Sequence, residues 1–456
     1  MIEANSAPFG AAVRVLTRAE HGISRQSISS AALRVLYGLK ESGYAAYLVG
    51  GGVRDLLLGQ RPKDFDIATN ATPDQINRVF RNCRLIGRRF VIAHVRFGGD
   101  IIEVTTFRGS DGDGMGGTSG DRLVETAGRI LRDNVFGSLE EDAERRDFTV
   151  NAMYYNIEDF SVTDYAGGLS DLSNKVIRLI GDPDRRFRED PVRMLRAARL
   201  AAKLGFRIDA ASELKIAELK ELLHEIPPAR LFDEVLKLFM GGHGEKSWRE
   251  LARLDLLSVL FPDLKPANLR ANRVFLEQAL QSTDARIQAE KPVSAGFFFA
   301  VLGWPMLQAR MPDKPTQDQR SEAIDSVLIQ LSRIIALPRR YAMQVREIWE
   351  MLPRLFGASA TRARRILPNP RFRAAYDFLL LLGSDNPTLK ALAERWTKAQ
   401  LPDADLDDIF GKQADASQIS GAATGAAVLG LIVQPAEAAA VDAPLRKKRR
   451  RNRKPK

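Results

Sequence analysis

The chain holds little of the chemistry that cross-links or metallates a protein. It has one cysteine, Cys83, in 456 residues, which excludes an internal disulfide and fits a reducing compartment. Its four histidines are scattered, with no close His or Cys companions, so a zinc site is not expected. No apolar run approaches the roughly 20 residues of a membrane span. The longest, AGFFFAVLGW and AAVLGLIV, fall well short, and the first residues show no basic region followed by an apolar core. These absences point to a cytoplasmic enzyme or nucleic-acid binder with no membrane partner.

Acid is missing from the last twelve residues, LRKKRRRNRKPK, which hold nine Lys or Arg. Removing those nine from the net charge of +11 leaves only +2 on everything before them. A terminal basic block of this kind reads as a solvated, disordered arm that binds polyanions. Arg446, Lys447, Lys448, Arg449, Arg450, Arg451, Arg453 and Lys454 are therefore candidate contacts to a polyanion, RNA or a membrane surface, where a plain solubility tail is the blander reading.

With 45% apolar and 27% charged residues the composition is that of a globular protein, and its length implies two to four domains. Residues 1–25 form a loosely patterned extension. Ser27 to Ser42 carries the apolar spacing of an amphipathic helix. From 45 to about 107, short apolar runs alternate with turns and one helical stretch, Pro73 to Arg81, predicting four strands and two helices in a small α/β sheet. GSDGDGMGGTSG, residues 109–120, has six glycines and reads as a mobile loop. Beyond about 182 the periodicity is helical almost throughout. Residues 412–444 are Ala-rich and of low complexity. The expected organisation is an α/β head (26–165), a helical neck (166–262), a helical body (263–411) and an unfolded tail (412–456).

The densest chemistry lies in YLVGGGVRDLLLGQRPKDFDIATN, Tyr47 to Asn70. As a strand, KDFDIAT puts Asp64 and Asp66 on one face, opposite Phe65 and Ile67. Two such carboxylates repel, and they ionise together most readily beside cations. A pair of Mg²⁺ ions suits them, because Mg²⁺ takes oxygen ligands and nucleotide phosphates. Glu103 interrupts another apolar strand, DIIEVTTF, and is a third candidate ligand. A solvated strand edge would explain Asp64 and Asp66 taken alone. The preceding VGGGVRD turn favours the site, since bare glycines before a helix let phosphate approach the backbone. Its spacing matches neither a P-loop nor a dinucleotide fingerprint.

LVGGGVRDLLLG, KDFDIAT, RRDFTVNAMYY, DYAGG and REDPVRMLRAARLAAKLGF follow one another at distances that resemble the class II nucleotidyltransferase family. That family contains bacterial poly(A) polymerases and CCA-adding tRNA nucleotidyltransferases, and the resemblance covers about residues 22–262. It implies a polymerase-β-like head and a two-metal transfer of AMP from ATP to RNA 3′ ends, with Mn²⁺ able to replace Mg²⁺. It assigns Asp64, Asp66 and Asp147 as catalytic, and leaves open whether Asp147 or Glu103 completes the metal site. Gly50, Gly51, Arg54 and Asp55 would form the phosphate turn, and Arg146 and Asn151 would lie at the nucleotide sugar. Asp190 and Arg193, three apart and hence neighbours on a helix, would read the adenine edge, with Arg196 and Arg199 nearby. An intrahelical salt bridge is the plainer reading of that last set.

Three features resemble the poly(A) branch: the basic segment FRNCRLIGRRFVIAHVRF, the long stretch from Phe107 to Asp142, and IPPARLFDEVLKLF followed by a basic arm. The implied partners are ATP and RNA 3′ ends, including mRNA, small RNAs and decay intermediates, with contacts to the RNA-decay machinery. CCA addition is the alternative activity.

Overall fold

The computed structural model describes residues 13–87, 91–109, 122–124, 130–133, 136–312, 315–383 and 386–411. The candidate RNA contacts of the basic arm, the low-complexity stretch and most of the Gly-rich loop lie outside these.

Ten strands belong to the head: β1 (Arg14–Leu16), β2 (Ala46–Val49), β3 (Asp66–Thr69), β4 (Cys83–Ile86), β5 (Ile92–Phe97), β6 (Asp100–Thr106), β7 (Arg122–Val124), β8 (Ile130–Asp133), β9 (Met153–Asn156) and β10 (Val162–Asp164). Eight of them make one mixed sheet in the order β1-β10-β9-β2-β3-β6-β5-β4. The sheet is twice the size expected from the sequence. Residues 14–16, read as part of a loose extension, pair antiparallel with β10 as an edge strand. β7 and β8 form a separate ribbon in the long stretch between Phe107 and Asp142.

Each strand is short, so its alternation spans only two or three side chains per face, which is why propensity alone undercounts them. One face packs on helix Ser30–Glu41, whose Val35, Leu36 and Leu39 are fully buried against Leu48, Ile67, Val95 and Val104. Burying each such side chain contributes roughly 1.5–3 kcal/mol. Ser29 caps this helix by accepting the Ala32 N–H, and a Thr72/Gln75 capping box starts helix Pro73–Val79. The other face carries only a small cluster, Val49, Ala68, Phe107, Ala143 and Tyr154. Cross-strand partners share a face, and Asp66 lies opposite both Val49 and Glu103. The carboxylates therefore occupy the thinly covered side.

After β10 the chain turns helical, apart from a two-residue parallel pair, Val176–Ile177 with Arg207–Ile208. Asp164, of the DYAGG motif, anchors this turn by accepting the N–H groups of Ala166, Gly168 and Leu169. Gly168 permits a close approach there, because a Cβ would meet the Thr149 carbonyl oxygen at 2.2 Å. A single apolar cluster runs from Phe148 and Val150 through the neck helices to Trp396 and Phe410. Neck and body thus share one core rather than forming two separate ones.

Candidate active site

β3 begins at Asp66, so Asp64 lies in the loop before it rather than within a strand. The expected alternation nevertheless holds: Phe65 and Ile67 are buried, Asp66 is half-buried and Asp64 is exposed. Burial, then the neighbouring Glu103 and Asp64 charges, push the Asp66 carboxyl up to about 6, with Arg146 and Arg196 opposing. Glu103 sits beside Asp66 in parallel register, and its Oε1 lies 3.3 Å from His94 Nε2.

A Cβ at Gly50 would lie 3.3 Å from Asp66 Oδ2 and 3.8 Å from Arg146 Nη1. Gly50 also has φ +71°, a conformation that favours glycine. The bare turn therefore leaves space over the Asp66 carboxylate. An all-oxygen donor set with excess negative charge fits a hard divalent cation. Among the described residues no group of three or more His, Cys, Asp or Glu side chains is arranged to hold a metal ion by itself. That composition suits Mg²⁺, which typically takes one or two carboxylates plus substrate phosphates.

Asp147 faces the neck. Its Oδ2 accepts from Arg196 Nε at 2.8 Å and from Arg196 Nη2, while Oδ1 accepts from the Phe148 N–H at 2.8 Å and Asn151 Nδ2 at 3.3 Å. Burial would raise this carboxyl, but Arg196 and the hydrogen bonds outweigh it and hold the group well below the usual range. Asp147 is a strut between head and neck; the acid beside Asp66 is Glu103.

The rest of the strut is a chain of contacts. Arg54, almost fully buried, donates through Nη1 to Asn151 Oδ1 at 2.5 Å and through Nε and Nη2 to Asp55 Oδ1 at 2.9 and 2.6 Å. Lys203 Nζ closes it on Asp55 Oδ2 at 2.9 Å. Arg196, Arg199 and Lys203 are spaced i, i+3, i+7 on helix Val192–Leu204 and so share a face. Two of the three hold the head. Arg199 lies among Arg196, Glu234, Asp147 and Arg54, and burial pulls its guanidinium below its ordinary value. Gly51 lies under Arg54, whose Nη2 would be 3.2 Å from a Cβ there.

Asp190 and Arg193 do not share a helix. Asp190 ends helix Pro183–Glu189 with non-helical φ/ψ, and Pro191 opens the next helix. The proline imposes that break by disfavouring helical geometry in the residue before it. Asp190 Oδ2 accepts from Arg230 Nη2 at 2.7 Å, and Arg193 Nη1 donates to the Arg186 carbonyl at 2.7 Å and to Glu189 Oε2 at 3.1 Å. All three of Glu189, Asp190 and Arg193 are buried.

Several side chains in this framework carry no sequence signal. Arg186 Nη2 donates to the Arg145 carbonyl at 3.0 Å and to the Arg146 carbonyl, tying the neck to the motif loop. Burial and then Arg193 lower its pKa to about 9. Asp142, in a helix started by the Ser138/Glu141 capping box, accepts from Arg146 Nη2 at 2.9 Å and the Tyr154 hydroxyl at 2.7 Å. Burial acts to raise the Asp142 carboxyl, but Arg146, Arg108 and Tyr154 hold it at about 2. Arg186 and Asp142 lie in charge-rich runs, DRRFRED and EEDAERRD, that do not show which member is buried.

A polymerase-β-like sheet with paired carboxylates on its open face, clamped to a helical neck, defines a nucleotidyltransferase. The chain matches the poly A polymerase head domain over residues 46–178, the probable RNA and SrmB-binding site of polymerase A over 205–268, and the polymerase A arginine-rich C-terminus over 313–455. It is 46% identical over 416 residues to poly(A) polymerase I of Salmonella typhi, covering 87% of this chain and 88% of that one. To poly(A) polymerase I of Haemophilus influenzae it is 43% identical, covering 80% and 83%. This chain belongs to the bacterial poly(A) polymerase family. The CCA-adding enzyme of Bacillus subtilis is 39% identical over only 50% of this chain and 55% of its own. A solved CCA-adding enzyme in an apo form has the same fold, with a TM-score of 0.56 at 22% identity over 87% of this chain and 91% of that one.

Proposed function

We propose that this polynucleotide adenylyltransferase extends RNA 3′ ends with adenylate, with Asp64 and Asp66 holding the divalent ions. The observation that supports this assignment is Asp66 itself: a half-buried carboxylate beside Glu103 and Asp64, under a turn that only glycine keeps open. Full-length similarity to poly(A) polymerases, against half-length similarity to the CCA-adding enzyme, favours tailing over CCA addition.

In the reaction the 3′-hydroxyl oxygen bonds to the α-phosphorus of ATP, the bond to the β-phosphate oxygen breaks, and pyrophosphate leaves. Bound Mg²⁺ would lower the pKa of the attacking hydroxyl and neutralise charge on the triphosphate. Gly50 lets that triphosphate approach without steric opposition, Gly51 makes room for the Arg54 side chain that braces the turn, and Arg146 offers a guanidinium beside Asp66. Arg54, Asp55, Asn151, Asp147 and Arg196 hold the phosphate turn and the neck in one geometry, which orients the nucleotide for in-line transfer. Asp190 and Arg193, buried with complementary donors and acceptors, would read the adenine edge. The basic arm would supply phosphate contacts independent of sequence, consistent with action on mRNA, small RNAs and decay intermediates in the cytoplasm. Among the described residues no helix is long and apolar enough to cross a membrane.

The test is incubation with Mg²⁺, a generic RNA and each NTP separately. Long homopolymer tails with ATP alone are expected. Addition that halts after a few nucleotides on tRNA lacking its CCA end would replace this reading with the alternative.

A further inference from the structure

The body contains a cleft of about 560 Å³ between the start of helix Gln317–Ile335, the end of helix Arg339–Phe356 and helix Ala360–Ile366. We propose that this cleft binds the phosphate backbone of single-stranded RNA, a second RNA site outside the catalytic head; the assignment deepens the proposed function and rests on it for the identity of the strand.

Four guanidiniums line it, those of Arg320, Arg354, Arg362 and Arg365, and no lining residue is acidic. Arg320 is half-buried and the other three are exposed. Arg320 and Arg362 donate to backbone carbonyls, of Pro315 at 3.1 Å and Gly357 at 2.7 Å, which orients their planes without neutralising them. Among the described residues none of the four enters an ion pair. The arginines around them behave otherwise: Arg346 faces Asp325, Arg364 faces Asp407, Arg371 faces Glu347 and Arg373 faces Asp377. The fold therefore pairs these neighbours with acids and leaves the four cleft arginines lining one concavity without an acidic partner among the described residues. Their mutual repulsion falls when an anion enters.

The shape favours a nucleotide strand over a small anion. Met351 and Ile366 give the cleft an apolar patch, and Gln317 and Asn369 add amide donors and acceptors. A free phosphate would use only the guanidiniums. A nucleotide of RNA uses all three: phosphates on the arginine forks, a base against the apolar patch, and base or ribose edges on the amides. The volume is in the range of sites that hold one or two such units.

The test uses the full chain and anisotropy of a labelled oligoadenylate of about 20 nucleotides over a salt series. Charge reversal in Arg354→Glu/Arg365→Glu should weaken binding about tenfold or more and make the log–log salt slope shallower by roughly one to two. Arg354→Lys/Arg365→Lys should keep the wild-type slope, because the charges remain. Arg373→Gln, which removes a cation outside the cleft, should bind as wild type, and thermal unfolding verifies the fold of each variant. Wild-type affinity and slope in the Glu variant would overturn the assignment, as would an equal loss in Arg373→Gln. Loss of pyrophosphate binding with RNA binding intact would assign the cleft to a free anion instead. Failure of the wild-type chain to add adenylate would remove the proposed function while leaving this binding measurement readable; unchanged binding in an active enzyme would remove only the cleft.

Discussion

Arg196, midway along the neck helix, donates from Nε to Asp147 Oδ2 at 2.8 Å, although the two lie 49 residues apart. One side of that bond belongs to the head and the other to the element that carries Arg193. The head loop that carries Asp147 and the neck helix that carries Arg193 are thus fixed to each other through a partly buried charge pair. A transfer reaction that needs an aligned nucleotide depends on such a pair being rigid.

Replacing Arg196 with Ala should therefore cost stability and rate together. Asp147, largely shielded from solvent, would lose its counter-charge, which typically destabilises by about 1–3 kcal/mol. Denaturant titration should show the loss. A double-mutant cycle with Asp147→Ala should recover a coupling of at least 1 kcal/mol, and additivity of the two single changes would contradict the strut.

Asp66→Asn should leave the fold intact or slightly more stable, since it removes one of three mutually repelling carboxylates. AMP incorporation should nevertheless fall by on the order of 10³-fold, the loss of several kcal/mol of metal-dependent stabilisation. Calorimetric titration with Mn²⁺ should show the matching loss of ion affinity. Wild-type incorporation in this variant would refute the role given to Asp66.

Asp142 makes acid stability measurable. Its carboxyl titrates at about 2 in the folded chain, below the usual value near 4. A depressed carboxylate adds stability that is fully present above its unfolded value and disappears as pH falls toward the folded value. The contribution is on the order of 2 kcal/mol at neutral pH. Urea midpoints of wild type and Asp142→Asn should differ clearly at pH 7 and converge as pH falls from 4 toward 2.

Gly168→Ala tests the junction between head and neck. Its Cβ would sit 2.2 Å from the Thr149 carbonyl oxygen, a backbone atom that cannot swing aside. Overpacking of this kind costs typically 1–3 kcal/mol, so the unfolding midpoint should drop. Activity should drop with it, because Thr149 and Asp147 belong to the same loop.

The local pattern of this chain determined the helix at residues 30–41, the paired aspartates, the glycine turn and the long helical second half, because periodicity and turn chemistry act over a few neighbouring residues. It also put Arg196 and Arg199 on the helix that follows Asp190, but could not say what they face. That Asp147 braces the neck, that Arg186 grips the carbonyls of residues 145 and 146, and that four arginines from three helices share a cleft were decided by tertiary structure alone. Those contacts join segments tens of residues apart, and only the packed sheet and the common helical core set their distances.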